Sequence, residues 1–485
     1  MRFTSWSSLA VGLLAAMTSA APYNYESSVE DRQAGTGRMV FAHFMMGIIA
    51  NRQSSADYDS DMKRAKAAGI DAFALNVGTD DYTEKQLDFA YESAAKNDMK
   101  VFISFDFNWF APASSAAQVG GLIKKYASKP AQLKVDNKIF VSSFNGDGLD
   151  VAAMRSAAGT DLYFAPNFHP GQTPDAKAVE AGFNWIAWPN NGENRAPQPG
   201  KNITVKAGDE AYSKWLAGKD YLAPVSPWFF THYGQEVSYS KNWVFPGDLL
   251  WYNRWNEILE LGPRFIEIIT WNDYGESHYI GNLASPHSDD GNSKWVNDMP
   301  HNGWLDMAIP YIAAYKAGQK SPASFIKEDK LIYWYRPTLK SLDCTATDTT
   351  VDGRPNGYET FEDSVFVVAL LKEDGKVTAT SGSNTKSFDA KAGASAWKVD
   401  MAVGKQSFKL GRGGKEVISA ISLRDVSDKC PCGIYNYNAF VGTVPAGPSD
   451  SLGPEGFTGF NKGLKVQCEA KPSLSSGSAP KPTSA

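Results

Sequence analysis

Between about Arg38 and Gln319 the chain alternates continuous apolar runs with stretches in which apolar residues recur every three or four positions. The first pattern predicts buried strands, the second helices that lie over them. Strands are expected at Met39–Met45, Asp71–Val77, Lys100–Phe107, Ile139–Phe144, Leu162–Phe168, Phe183–Trp188, Tyr221–Phe230 and Phe265–Trp271. Helices are expected after them at Asp57–Ala68, Glu84–Asn97, Ala116–Ala127, Asp150–Ala158, Asp175–Ala181, Glu210–Ala217, Asp248–Leu261 and Met307–Ala317. Gly69, Gly159, Gly182, Gly218 and Gly262 stand where helices would end. Eight β-then-α units within about 280 residues predict a (β/α)8 TIM barrel rather than a doubly wound sheet.

After about Pro322 the rhythm shortens. Leu331–Tyr335, Val365–Leu371, Lys376–Thr380, Ala396–Met401, Gln406–Leu410 and Glu416–Leu423 are short alternating runs separated by turn residues such as Gly375, Gly404 and Gly413–Gly414. That pattern predicts an antiparallel β-sandwich. The resulting division is a signal peptide over 1–21, a propeptide or loose arm over 22–37, an α/β barrel over 38–321, a β-sandwich over 322–470 and a Ser/Pro-rich tail over 471–485. The leader reading rests on Arg2, the apolar run Leu9–Ala16 and small residues up to Ala21, a run too short to span a bilayer. Secretion is therefore expected, with no membrane span.

The barrel reading predicts that polar and aromatic residues gather at the C-terminal ends of the strands, where such folds place their sites. They do so in the sequence: His43, Asn76, Asp106, Trp109, Asn145, Asn167, His169, Trp188, Trp228 and His232 all fall there. The last strand ends in Thr270-Trp271-Asn272-Asp273-Tyr274-Gly275-Glu276-Ser277, two carboxylates beside an indole. Paired carboxyls with an aromatic wall suit glycosidic hydrolysis, one protonating the leaving oxygen and the other acting on water. We expect Glu276 as acid and Asp273 as base, with the roles exchangeable, and Asp106 as a third acid. Gly275 is expected to supply the backbone freedom for the bend between them. Asn76, Asn145, Asn167 and Asn272 suit sugar hydroxyls, Trp109, Trp188, Trp228 and Trp271 suit stacking, and His43, His169 and His232 are further candidate contacts.

Composition narrows the partner. Fourteen Trp and a 13% aromatic fraction favour a carbohydrate ligand. A net charge of −5 and pI near 5.8, without a basic cluster, argue against nucleic acid. No histidine–carboxylate metal spacing or phosphate loop is present, so no cofactor or metal is expected. Cys344, Cys430, Cys432 and Cys468 fit an oxidising compartment. Three connectivities are possible, and Cys430 and Cys432 are each expected to pair outward, with Cys344 and Cys468. Asn202-Ile203-Thr204 is a glycosylation sequon.

With these residues in place the chain resembles glycoside hydrolase family 71, the fungal α-1,3-glucanases or mutanases. The resemblance is carried by Val40-Phe-Ala-His-Phe-Met-Met-Gly47, Asp71-Ala-Phe-Ala-Leu-Asn76, Phe102-Ile-Ser-Phe-Asp-Phe-Asn108 and Thr270 to Ser277, spread across the barrel region. It implies a secreted, endo-acting hydrolase of α-1,3-glucan, working with inversion and without metal, on a barrel-plus-sandwich architecture. It also implies that Asp106 corresponds to the family's third essential acid. We expect a monomer. The alternatives are a hydrolase of another glucan linkage on the same barrel and a non-catalytic wall-glucan-binding protein.

Overall fold

The computed structural model describes residues 37–452 apart from 174, 192–202, 235–236, 238, 349 and 352. The expected leader, arm and tail, the sequon residue Asn202 and Cys468 lie outside the described residues.

Eight parallel strands form one curled sheet: β1 (Met39–Met45), β2 (Ala72–Val77), β3 (Lys100–Asp106), β4 (Lys138–Phe144), β5 (Leu162–Pro166), β6 (Ala181–Phe183), β7 (Asp220–Val225) and β10 (Phe265–Ile268). Their order follows the chain, and β10 returns to pair with β1 through Met39↔Phe265 to Ala42↔Ile268. A ninth, antiparallel pair of residues, Lys134–Val135, edges β4. The β5 and β6 strands do not share a ladder; Glu180, just before β6, spans them, donating its N–H to the Phe164 carbonyl at 3.1 Å and accepting from the Phe164 N–H at 2.9 Å. The fold is thus mixed α/β with a curled parallel sheet, and the expected full ring is hydrogen-bonded around all but that seam.

The seam coincides with a missing helix. Residues 175–180, expected to be helical, run as turns. The stretch is too short to be stable on propensity alone. Its carbonyls are held instead by Lys219 Nζ, which reaches Ala176 and Val179 at 2.6 Å, and by Arg155, which reaches Ala178 at 3.0 Å. Gly182, expected to end that helix, lies inside β6, where an added Cβ would meet Trp215 at 2.9 Å. Most other elements fall within a few residues of expectation, including helices Thr83–Lys96, Ala116–Tyr126 and Leu250–Leu261.

Side chains alternate along each parallel strand, so one set lines the interior of the curl. Its lower layer is aromatic: Phe41, Phe102, Phe140, Tyr163 and Phe265 pack with centroids 4.7 to 5.8 Å apart. The layers above become polar, which places the chemistry at the C-terminal ends.

An unforeseen hairpin, β8 (Phe230–Tyr233) and β9 (Lys241–Val244), follows β7. Downstream, two four-stranded antiparallel sheets stack face to face. Tyr333 and Phe408 meet between them at 3.9 Å. Ser364–Leu371 is buried on both faces because the opposite face of its sheet packs on helix Asn302–Lys316, with Trp334 6.1 Å from Trp304. That double burial explains why the stretch reads as a continuous apolar run. A disulfide joins Cys344 to Cys430, Cα atoms 5.8 Å apart, and Cys432 is not a free thiol.

Candidate active site

The motif after β10 folds as a closed loop. Ile280 N–H donates to the Thr270 carbonyl (3.1 Å), and Thr270 N–H to the His278 carbonyl (3.0 Å). Inside it, Thr270 Oγ1 accepts from the Asp273 N–H (2.8 Å), and Asp273 Oδ1 accepts from the Glu276 N–H (2.9 Å). These two bonds hold the carboxyl-bearing residues in register. Phe230 N–H donates to the Glu276 carbonyl at 3.0 Å, stitching the β8–β9 hairpin onto the loop.

The hairpin carries Lys241 directly opposite Tyr233. Lys241 Nζ donates to Glu276 Oε1, while His278 Nε2 sits 2.8 Å from Glu276 Oε2. Burial alone would raise the Glu276 carboxyl, but the ammonium and imidazole outweigh it and hold it below the usual range. Asp273 goes the other way. Burial, and then the Glu276 charge, push it up. One oxygen of each carboxyl and a ring nitrogen of His278 lie within 4.8 Å of one another. The two carboxyls are thereby driven apart, Asp273 toward holding a proton and Glu276 toward its ionised form, and Asp273 is the partly exposed member of the pair. The sequence left the acid and base roles of this pair exchangeable, and the two shifts run in opposite directions. Asp273, Glu276 and His278 therefore form one close cluster. Those three side chains are the set among the described residues arranged to hold a cation. Lys241 already supplies positive charge there.

Asp106 joins them from the tip of β3. Burial pushes its carboxyl up to about 6, against the opposing pull of the Asn108 N–H, His43, Asn76 and Lys241. Lys241 also acts on Asp273 and on Asp290, so four carboxyls surround one ammonium. Asp290 Oδ1 accepts from the Tyr233 hydroxyl at 2.7 Å and from Asn292 Nδ2 at 2.6 Å.

Gly275 has a different reason from the one expected. It does not adopt a positive φ. Its missing side chain makes room for Tyr233, whose hydroxyl would lie 1.8 Å from an added Cβ.

Other expected contacts divide sharply. Asn76 bonds Asp106 at the pocket floor. Trp109, beside Asp106, is 58% exposed, as a stacking platform requires. Asn145 bonds Asn108 at the rim, 2.9 Å, and His169, a third exposed, is fixed by Asp147 at 2.6 Å. The rest are committed inside the protein. Asn167 satisfies the Asn145 N–H, the Phe183 carbonyl and Tyr212, and Asn272 clamps both backbone groups of Met45. Trp188 bonds the Trp228 carbonyl (2.7 Å) and Trp228 the Tyr437 carbonyl (2.9 Å); both are buried. Trp271 points away to Asp61, 2.9 Å. His232 is buried against Asp348 at 2.7 Å and braces the hairpin to the following region. His43 is buried against Glu267 at 2.6 Å, beneath the pocket. A strand-tip address in sequence does not distinguish the face that opens to the pocket from the face that packs outward.

Lys241, His278, Tyr233 and Asp290 escaped the sequence reading. His278 carried a faint signal, standing two positions after Glu276. Lys241 and Tyr233 sit on a hairpin with no distinguishing composition.

The family whose sequence profile matches this chain is glycosyl hydrolase family 71, over residues 36–453. A mutanase of Penicillium rubens is 42% identical over 425 residues, covering 86% of this chain and 92% of that protein. A glucan endo-1,3-alpha-glucosidase of Schizosaccharomyces pombe is 37% identical over 427 residues, covering 84% and 95%. An ascus wall endo-1,3-alpha-glucanase of the same yeast is 28% identical over 361 residues, covering 69% and 79%.

Proposed function

The chain belongs to glycosyl hydrolase family 71, and on that premise we propose that it is a secreted, endo-acting hydrolase of α-1,3-glucan. The observation that carries the reading is the group of four carboxyls around Lys241, with protonation states driven apart and Asp273 open to a ligand. We read the curled sheet as a TIM barrel whose seam between β5 and β6 is bridged by Glu180. The secreted location is supported by the apolar leader and by the wall-directed name of a relative. No helix among the described residues is long and apolar enough to cross a membrane.

In the proposed mechanism Asp273 is the proton donor to the leaving oxygen. Glu276 stays ionised under Lys241 and His278, keeps the proton on its neighbour, and faces positive charge as it develops at the sugar. The water is activated by Asp106, whose carboxyl near 6 suits a base better than the strongly held Glu276 does. Trp109 offers an exposed ring to the sugar at the rim. The proton leaves Asp273 for the departing hydroxyl, and Asp106 takes one from water, which attacks the opposite face with inversion.

The purified chain should release reducing ends from α-1,3-glucan and leave starch, dextran and β-glucans intact. Proton NMR of the first products should show the β anomer. Cleavage of starch or dextran at comparable rates would replace the linkage assignment, and an initial α anomer would exclude the water-activating role of Asp106.

A further inference from the structure

The polar layer between the aromatic floor and the pocket has an arrangement that the mechanism above leaves unused. Two positions beyond Phe41, Phe102, Phe140 and Phe265, facing the same way, stand His43, Ser104, Ser142 and Glu267. All four are fully buried. Ser104 and Ser142 are direct cross-strand partners, and two positions above Ser104 comes Asp106. His43 Nδ1 lies 2.6 Å from Glu267 Oε1, and the ring is fixed edge-on to Trp185 at 4.8 Å.

That leaves His43 Nε2, Glu267 Oε2, Ser104 Oγ and Ser142 Oγ without a protein partner. Buried polar groups of this kind are normally satisfied by ordered water. Ala74 and Ala165, buried at the same level, carry only methyl groups there. A buried carboxylate–histidine pair above an apolar floor would be costly if it did only packing.

We propose that Glu267 and His43 are a positioning dyad for Asp106: Glu267 orients the imidazole, and His43 acts through water held by Ser104 and Ser142 to keep Asp106 as the carboxylate that accepts the proton. The inference rests on the role given to Asp106 above. The groups that face Asp106 are His43 from β1, Asn76 from β2, the Asn108 N–H beyond β3 and Lys241 from the hairpin; Lys241 is the cation among them, and the His43 ring adds positive charge when it is protonated. Glu267 is itself pushed up by burial and pulled back by His43. No proton needs to pass beyond the dyad for this role; the imidazole supplies charge and orientation.

The test uses the whole enzyme with Glu267→Gln and His43→Gln, following kcat/KM against pH on soluble α-1,3-glucan oligosaccharides. The acid limb should move up by about one pH unit in both variants, with KM within about twofold of wild type, since neither side chain would touch sugar. In parallel, nitrogen-15 NMR of the ring, one of six histidines, should show the His43 Nε2 resonance displaced in Asp106→Asn. His43→Gln assigns the signal. An unmoved acid limb in Glu267→Gln together with an unchanged His43 resonance in Asp106→Asn overturns the proposal and leaves the dyad as a packing device. If neither dyad variant folds, the resonance in wild type and Asp106→Asn decides. Because that readout needs no substrate, it separates failure of the dyad from failure of the glucanase assignment.

Discussion

Replacing Lys241 by Met removes the ammonium around which the site is organised. Its side chain is about a fifth exposed, and the Glu276 side chain it binds is a tenth exposed. Breaking so enclosed a pair leaves a buried charge and costs about 3–5 kcal/mol. Expressed on the surviving carboxyl at 1.36 kcal/mol per unit, the full cost would raise Glu276 by about two to four pH units, and His278 remains to limit the rise. Glu276 then competes with Asp273 for the shared proton, and Asp106 loses a counter-charge as well. Turnover at pH 5–6 should fall by about 100-fold, with the loss shrinking as pH rises and Glu276 ionises again. The assay is initial release of reducing ends across pH 4–9, with oligosaccharide affinity by calorimetry and the melting temperature as controls. Affinity should stay within about threefold. A variant that keeps kcat within threefold of wild type, with an unmoved acid limb, would refute the claim that Lys241 sets these protonation states.

Four further outcomes follow from the geometry. In wild type, activity should fall tenfold per unit below about pH 6, because Asp106, raised to about 6, must be ionised to accept a proton; a limb well below pH 5 would show that Glu276, not Asp106, acts as base. Asp273→Asn should lose about 1,000-fold on glucan but much less on aryl glycosides whose leaving group needs no proton; equal losses on both would remove Asp273 as donor. Gly275→Ala should cut kcat at least tenfold by displacing Tyr233, and Tyr233→Phe in the same chain should recover part of it; a fully active single variant would deny the close contact. Asp348→Asn should lower stability by about 3 kcal/mol in urea melts, by unpairing buried His232. Its KM for glucan should remain unchanged, whereas a raised KM would return His232 to the substrate site.

The strand and helix rhythm from Met39 to Leu261, the helix expected at 175–181 excepted, was readable because each element has to bury one face, and burial leaves a periodic trace in the sequence. The Asp273–Glu276 motif was equally visible, since carboxylates at the end of an apolar strand have little structural reason to be there. Asp106 was legible for the same reason, and the structure brings it to the same ammonium. The chain order could not say which strand-tip residues face the pocket. Trp188, Trp228, His232 and Trp271 share that address with Trp109, yet all four turn into packed interiors. Only the tertiary fold brought Lys241 to Glu276, 35 residues on, by laying the hairpin across the loop after β10. It also drove the Asp273 and Glu276 carboxyls in opposite directions, because their shifts depend on burial and on charges converging from the hairpin and the loop. The sequence by itself supplied the acids. Their division of labour is a property of distance and burial, and those exist only once the chain has closed.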